Sequence, residues 1–316
     1  MSDLPRLSSP QTLAVVIPSS APMPRQNPDQ GLACLREMGF ALRSFYDADA
    51  KYQRFAGTDA ARAASMMQAA NDADAGILLA LRGGYGLSRL MPLIDWDRFA
   101  AAGKTCVGYS DFTLCHQQLL RRGVPSLAGP MLCDDALRGP LHHWTLQQFV
   151  DVLEHDTHRL QFRQAEAVDA GMLVAEEGRL WGGNLAMLVH TLGTSYWHEE
   201  QNGILFLEDI GEHPYRVERM LLQLHYAGVL NRQKAIVLGD FSGYKLAEHD
   251  QGYDFAAMLA YIRTLVTVPI VTGLPFGHIP DRATLVVGSQ AQLLVQGAEV
   301  SLTMHYRLPH LASVSR

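Results

Sequence analysis

Thr105-Cys106-Val107-Gly108-Tyr109-Ser110-Asp111-Phe112-Thr113-Leu114-Cys115-His116 is the stretch on which the reading of the fold turns. Thr105 to Val107 is a short apolar run that suits a buried strand. Phe112, Leu114, Cys115, Leu119 and Leu120 then follow the three-to-four spacing of a helix. Ser110 therefore stands where a strand ends and a helix begins. A helix N-terminus presents unpaired N–H groups and about half a positive charge, so a serine there can attack a carbonyl while nearby amides hold the oxyanion. Gly108 permits a tight turn just before it. The same window also fits a plain helix cap at Ser110 followed by a favourable first-turn acid at Asp111. The window alone does not separate the two.

Upstream, the pattern predicts a strand from Thr12 to Ile17 and a turn-rich loop, Pro18-Ser19-Ser20-Ala21-Pro22. A helix from Gly31 to Met38 stopped at Gly39, a strand from Ala41 to Phe45, and a helix from Asp59 to Asn71 capped by Thr58 follow. Ala75 to Leu81 is another apolar strand, running into Arg82-Gly83-Gly84-Tyr85-Gly86 and a helix from about Leu87. A short helix from Trp96 to Ala102 leads to the Cys106 strand. Alternation of this kind predicts a parallel sheet covered on both faces. Such sheets bind ligands at the carboxyl ends of their strands, where the Gly83 loop and Ser110 lie.

Downstream, a helix is expected from Leu141 to Leu153, and His155 to Gly171 shows no periodicity. The domain boundary is placed there, giving domains at residues 1–160 and 161–316. In the second, Gly182-Gly183-Asn184-Leu185 opens a helix through Leu192, and Asn202-Gly203 turns into a strand, Ile204 to Leu207, that ends in Glu208-Asp209. Pro214 suits the first turn of a helix to Tyr226, with Glu212 and Arg216 spaced to pair. Lys234 to Leu238 and Pro269 to Val271 read as strands, Phe255 to Leu265 as a helix. Ala283 to Tyr306 alternates around Gly288 and Gly297 as β-hairpins do. The fold class is α/β: a parallel-sheet first domain followed by a smaller α+β domain.

A chain of 316 residues is too long for one ordinary core. A net charge of −6 supplies no general basic field, which argues against nucleic acid as a partner. The N-terminus lacks a signal-peptide pattern and no run approaches the roughly 18 apolar residues of a membrane span, so a soluble cytoplasmic protein is expected. Cys34, Cys106, Cys115 and Cys133 lack framework or CxxC spacing and read as reduced core thiols.

Several motifs fail. Gly103-Lys104-Thr105 resembles the end of a P-loop, but Arg98 stands where its first glycine is required. Arg89 likewise breaks a GxGxxG reading of the Gly84 loop. His142, His143, His155 and His158 read as solvated rather than as metal ligands, so no metal is expected. What remains are reactive residues at three strand ends: Ser110, Glu208 and His278. A serine nucleophile needs a base such as imidazole, which gains from a carboxylate fixing its tautomer. Asp209, Glu212 and His213 compete for those roles, and composition does not choose.

Arg82-Gly-Gly-Tyr-Gly86, Gly108-Tyr-Ser-Asp-Phe-Thr113, Gly182-Gly-Asn-Leu185, Phe206-Leu-Glu-Asp-Ile-Gly-Glu212 with Pro214-Tyr-Arg216, and Gly273-Leu-Pro-Phe-Gly-His278 occur in one order. In that order they resemble the LD-carboxypeptidases, the serine peptidase family of muramoyltetrapeptide carboxypeptidases and microcin C immunity peptidases. The resemblance runs from the Val15-Val-Ile-Pro-Ser-Ser20 loop to His278. It implies Ser110 as nucleophile, Glu208 as carboxylate and His278 as base, with backbone amides of Asp111 and Gly84, beside Gly83, as the oxyanion site. It further implies a flavodoxin-like N-terminal domain carrying the serine, a C-terminal domain carrying the Glu-His pair, and often a homodimer. No metal or other cofactor is implied. Tyr109 stands where many relatives carry phenylalanine. The implied substrate is murein tetrapeptide, cut before its terminal D-alanine. Arg82 and Arg216 are candidates to bind its carboxylate, although Arg216 also suits a pair with Glu212. A microcin-type substrate would need an aromatic platform, for which Trp181 and Trp197 are available. A doubly wound ligand-binding protein without catalysis is the alternative outside the enzymes.

Overall fold

Residues 13–16 and Ile77–Ala80 are continuous apolar runs with no solvent exposure, the pattern of strands covered on both faces. In the computed structural model, which describes residues 4–23, 26, 28–47, 49–133, 142–164 and 173–312, they lie at the centre of a sheet. The first elements are β1 (Gln11–Val16), α1 (Pro28–Glu37), β2 (Phe40–Ser44), α2 (Asp59–Asn71), β3 (Ile77–Ala80), α3 (Trp96–Ala101), β4 (Thr105–Gly108), α4 (Thr113–Leu120), β5 (Ser126–Ala128) and α5 (His143–Glu154). Then come β6 (Thr157–Arg163), β7 (Leu173–Asn184), α6 (Leu185–Thr191), β8 (Ile204–Glu208), α7 (Pro214–Tyr226), β9 (Ala235–Leu238), α8 (Phe255–Leu265) and β10 (Ile270–Val271). The chain ends with β11 (Leu285–Val287), β12 (Gln290–Gln296), β13 (Glu299–His305) and α9 (Pro309–Ala312).

These elements form two compact units. The first holds the described residues up to His158, together with Pro280–Gly288 and the stretch from Tyr306 onward; the second holds Arg159–Ile279 and Ser289–His305. In the first, the strand order is β11-β5-β4-β3-β1-β2, with β1 to β5 parallel and β11 antiparallel to β5. This is the flavodoxin-like order, whose reversal between β1 and β3 opens a crevice at their carboxyl ends. Thr58 caps α2 as expected, accepting from the Ala61 N–H. The second unit has the order β10-β9-β8-β7-β12-β13-β6, parallel from β10 to β7 and antiparallel through β7, β12 and β13. The fold is thus the expected α/β class, a doubly wound sheet followed by a second mixed one.

Local expectations failed in places for physical reasons. The hairpin expected around Gly288 does not form, because β11 is a wholly buried Leu-Val-Val run that pairs with β5. The hairpin around Gly297 does form, between β12 and β13. The expected loss of pattern after His155 conceals β6, whose residues alternate in burial. His158 faces inward on that strand, its Nε2 2.9 Å from Gln148 Oε1, and is not the solvated residue expected. The remainder of that stretch, residues 165–171, and Leu141 of the expected helix lie outside the described residues. The helix expected from Leu87 is a single 3-10 turn, Leu87–Leu90. Four buried free thiols match the cysteine reading. Among the described residues no helix is long and apolar enough to cross a membrane.

Helix α4 carries the Ser110 turn and is buried along its whole length, polar residues included. His116 fastens it. Its Nε2 lies 2.9 Å from the Gly108 carbonyl and its Nδ1 2.8 Å from Ser126 Oγ. The carbonyl can only accept, so Nε2 carries the proton and Nδ1 accepts from the serine. Burial holds the His116 pKa down to about 4. The unfolded chain binds this proton near the ordinary value of about 6.5. The stabilisation is therefore complete above that value and is lost as pH falls toward 4. Urea titrations at pH 7 and pH 4 should differ by about 3 kcal/mol on account of this residue. In His116→Gln the pH dependence should shrink by that amount, leaving the similar contribution of His310, whose pKa burial also lowers to about 4. Identical pH dependence in the two proteins would contradict the assignment.

Candidate active site

Ser110 lies in a 3-10 turn, Ser110–Phe112, between β4 and α4. Its φ of 61° is left-handed, a region that costs a residue with a Cβ roughly 1–2 kcal/mol. A helix cap takes extended backbone angles, so the capping alternative for Ser110 does not describe this residue. The turn is tight because Gly108 has no side chain: a Cβ there would lie 2.7 Å from the Phe112 ring. Strain of this kind is the mark of a serine held up at a strand-to-helix elbow.

Asp111 is likewise more than a first-turn acid. It is 3% exposed, and its Oδ2 accepts from Ser19 Oγ at 2.5 Å and from the Leu87 N–H at 2.8 Å. Three strand-end loops, after β1, β3 and β4, are thereby tied at one carboxylate. Arg62 of α2 adds a second tie, its buried Nη1 donating to the Pro18 and Gly86 carbonyls. The glycine loop is held against the serine: a Cβ at Gly83 would lie 3.1 Å from Ser110 Cβ and 3.2 Å from its Oγ. Gly84, at φ 79°, packs on Ser20, whose Oγ donates to the Tyr85 carbonyl. Gly83, Gly84, Ser110 and Asp111 therefore share one end of the first sheet. The guanidinium of Arg282 sits over the Tyr109 ring, 4.1 Å from its centre.

In the second unit, β8 ends at Glu208, which has no solvent exposure. Its Oε2 lies 2.8 Å from His278 Nδ1, and its Oε1 accepts from Asn184 Nδ2 at 3.2 Å. A carboxylate oxygen can only accept, so Nδ1 carries the proton and Nε2 keeps a lone pair. That is the tautomer a general base requires. The competing residues are engaged elsewhere. Asp209 accepts from Asn184 and from the Ala186 and Ile210 N–H groups. Burial first, and the Glu208 charge second, raise its pKa to about 6. Glu212 pairs with Arg216, as the helical spacing anticipates. His213 caps α7 and bonds Asp250.

Arg82 donates from Nη1 to the Ala21 carbonyl, beside the glycine loop. Trp181 is fully buried and donates to Gln233, which makes it core and removes it as a stacking platform. Trp197 packs edge-on against it. Reading the sequence missed Ser19, Arg62 and Asn184. Only Asn184 left a signal, as a helix-capping residue following two glycines.

Two sequence models match the chain, the LD-carboxypeptidase N-terminal domain over residues 13–129 and the LD-carboxypeptidase C-terminal domain over residues 177–293. The crystal structure of muramoyltetrapeptide carboxypeptidase from Oxalobacter formigenes superposes with a TM-score of 0.88 at 41% identity, covering 94% of this chain and 99% of that one. The murein tetrapeptide carboxypeptidase of Pseudomonas aeruginosa is 30% identical over 73% of this chain and 76% of its own. The microcin C7 self-immunity protein MccF of Escherichia coli is 24% identical over 88% of each chain. With both domain models matched in order, and the strand-end residues lying on the elements that those models cover, this chain belongs to the LD-carboxypeptidase family.

Proposed function

We propose that the protein is a serine-type LD-carboxypeptidase that removes the terminal D-alanine from murein tetrapeptide. The observation that carries this reading is the His278–Glu208 pair, with its proton on Nδ1, read together with the strained serine beside the glycine loop. His278 takes the Ser110 proton as Oγ attacks the carbonyl of the L-centre of meso-diaminopimelate. The oxyanion is held by the N–H groups of Asp111 and Gly84. His278 then protonates the departing amine, and water hydrolyses the acyl-enzyme by the same route in reverse. Arg82 is the cation proposed for the substrate's carboxylate. The same reading places the enzyme in peptidoglycan recycling, in the cytoplasm and as a homodimer. The murein tetrapeptide substrate is supported by the names of the Oxalobacter and Pseudomonas relatives. The MccF relative keeps a microcin-type amide as the rival substrate.

Mass spectrometry of products from purified murein tetrapeptide tests the reaction: release of D-alanine is expected, and cleavage of an aminoacyl sulfamoyl adenylate instead would favour the rival. In Ser110→Ala, kcat should fall by about four orders of magnitude or more with circular dichroism unchanged; near-normal turnover would exclude the mechanism. Glu208→Gln should lower kcat by roughly 10³- to 10⁴-fold, because an amide no longer imposes the tautomer. The backbone strain is separable from the chemistry. Ser110→Gly and Ser110→Ala should both be inactive, yet the glycine variant should be more stable by about 1 kcal/mol in denaturant titrations. Equal stabilities would mean that position 110 is unstrained.

A further inference from the structure

At the strand-end face of the first unit lies a cleft of about 620 Å³, lined among others by Ser20, Gln26, Lys51, Gln53, Arg54 and Arg82. Among the described residues, the charged side chains lining it are all cations, in a chain whose net charge is −6. Among the described residues, Lys51, Arg54 and Arg82 have no carboxylate partner, whereas Arg43, Arg62, Arg122 and Arg232 each pair with an acid. Arg82 spends Nη1 on the Ala21 carbonyl, and its Nε is buried without a hydrogen bond. Burial foremost, with the Arg54 charge as a lesser cause, pushes the Arg82 pKa below its ordinary value. Like charges gathered around a partly desolvated guanidinium are unfavourable when empty and favourable around an anion.

The wall of the cleft is built to present these groups. Tyr52 and Phe55 exchange both backbone hydrogen bonds at 3.0 Å, making Gln53-Arg54 a two-residue turn. Gln53 takes a φ of 56°, where glycine is the usual occupant. The Ala21 N–H ties the Arg54 carbonyl at 3.0 Å. Strain retained in a turn without glycine, at the rim of a cleft, is characteristic of a ligand clamp. The cleft adjoins the glycine loop: a Cβ at Gly84 would lie 2.8 Å from Ser20 Oγ and 3.3 Å from Arg82 Nη2. Gly83 in turn abuts Ser110.

We propose that this cleft is a carboxylate-binding subsite in which Lys51 and Arg54 join Arg82 to hold the free C-terminal carboxylate of the peptide. The identity of the peptide rests on the peptidase reading; the anion preference of the cleft does not. A guanidinium fork matches a carboxylate, and a subsite of this charge makes the enzyme cut only at a free chain end.

The test compares murein tetrapeptide, its C-terminal amide, and a tetrapeptide whose D-glutamate carboxylate is amidated instead. The wild-type protein should lose at least 30-fold in kcat/KM on the C-terminal amide and change little on the other. Lys51→Met and Arg54→Met should each lose about 10-fold on the free acid, mainly through KM, and nothing further on the C-terminal amide. Equal cleavage of acid and amide, equal losses on both, or sensitivity only to the glutamate carboxylate would overturn the assignment. A second arm measures equilibrium binding of N-acetyl-D-alanine and its amide to the wild-type and the Lys51→Met/Arg54→Met protein by NMR titration. If no tetrapeptide is cleaved but the acid binds in preference to the amide and the double variant loses that preference, the peptidase reading fails and the subsite stands. Absence of any such preference sinks the subsite alone.

Discussion

A carboxylate with no access to water must be hydrogen-bonded or it will not remain charged. Glu208 meets that condition with two partners, Asn184 and His278. Each partner is constrained in turn. Asn184 closes β7 and caps α6, accepting from the Met187 N–H, so its side chain cannot turn away without freeing a helix end. His278 follows Gly277, whose φ of 139° brings it against Asp240, where a Cβ would lie 2.9 Å from the Asp240 Cβ. The imidazole is therefore oriented by one buried acid, and the imidazole and the amide supply the hydrogen bonds that the buried acid needs.

The neighbouring acid shows why sequence position alone did not assign the roles. Glu208 and Asp209 are adjacent, and both are nearly inaccessible. Asp209 accepts two backbone N–H groups as well as the Asn184 amide, which makes it a structural acid holding the start of α6. Glu208 has its second oxygen on the imidazole. Burial first, and the neighbouring negative charge second, raise the Asp209 pKa, which suits an acid held for structure.

Most of the architecture was legible because it rests on periodicity and punctuation. Thr58, Gly39, Pro214 and the apolar runs of β1, β3 and β4 each encode a local element boundary, and the boundaries fall within a residue or two of those expected. What escaped depends on contacts distant in sequence. Strand β11 looks like half of a hairpin until β5, about 160 residues earlier, offers it an edge. Strand β6 carries its alternation on His158, Leu160 and Phe162, a pattern masked by a histidine on the inner face and charges on the outer one. Within the candidate site, the motif residues could be picked out through the family resemblance. The roles of Ser19, inside the first quoted loop, and of Arg62, outside every motif, could not, since a loop serine and an arginine in an alanine-rich helix acquire meaning only from the loops that they bind.

The same principle of sheet construction accounts for both clusters of reactive residues. Parallel strands deliver their carboxyl ends to one side, and the loops that leave them are where side chains can gather without disrupting a ladder. In the first unit β1, β3 and β4 deliver Ser19, the glycine loop and Ser110 in this way. In the second, β7 and β8 run parallel with Asn184 directly opposite Glu208, which is why the amide reaches the acid. Strand β10, two places further along that parallel run, leads into the loop that ends at His278. A shift of one residue in the β7–β8 register would turn Asn184 to the opposite face from Glu208. The acid would then keep its burial and lose a donor. Register, as much as the side chain itself, is what keeps the Asn184 amide on Glu208.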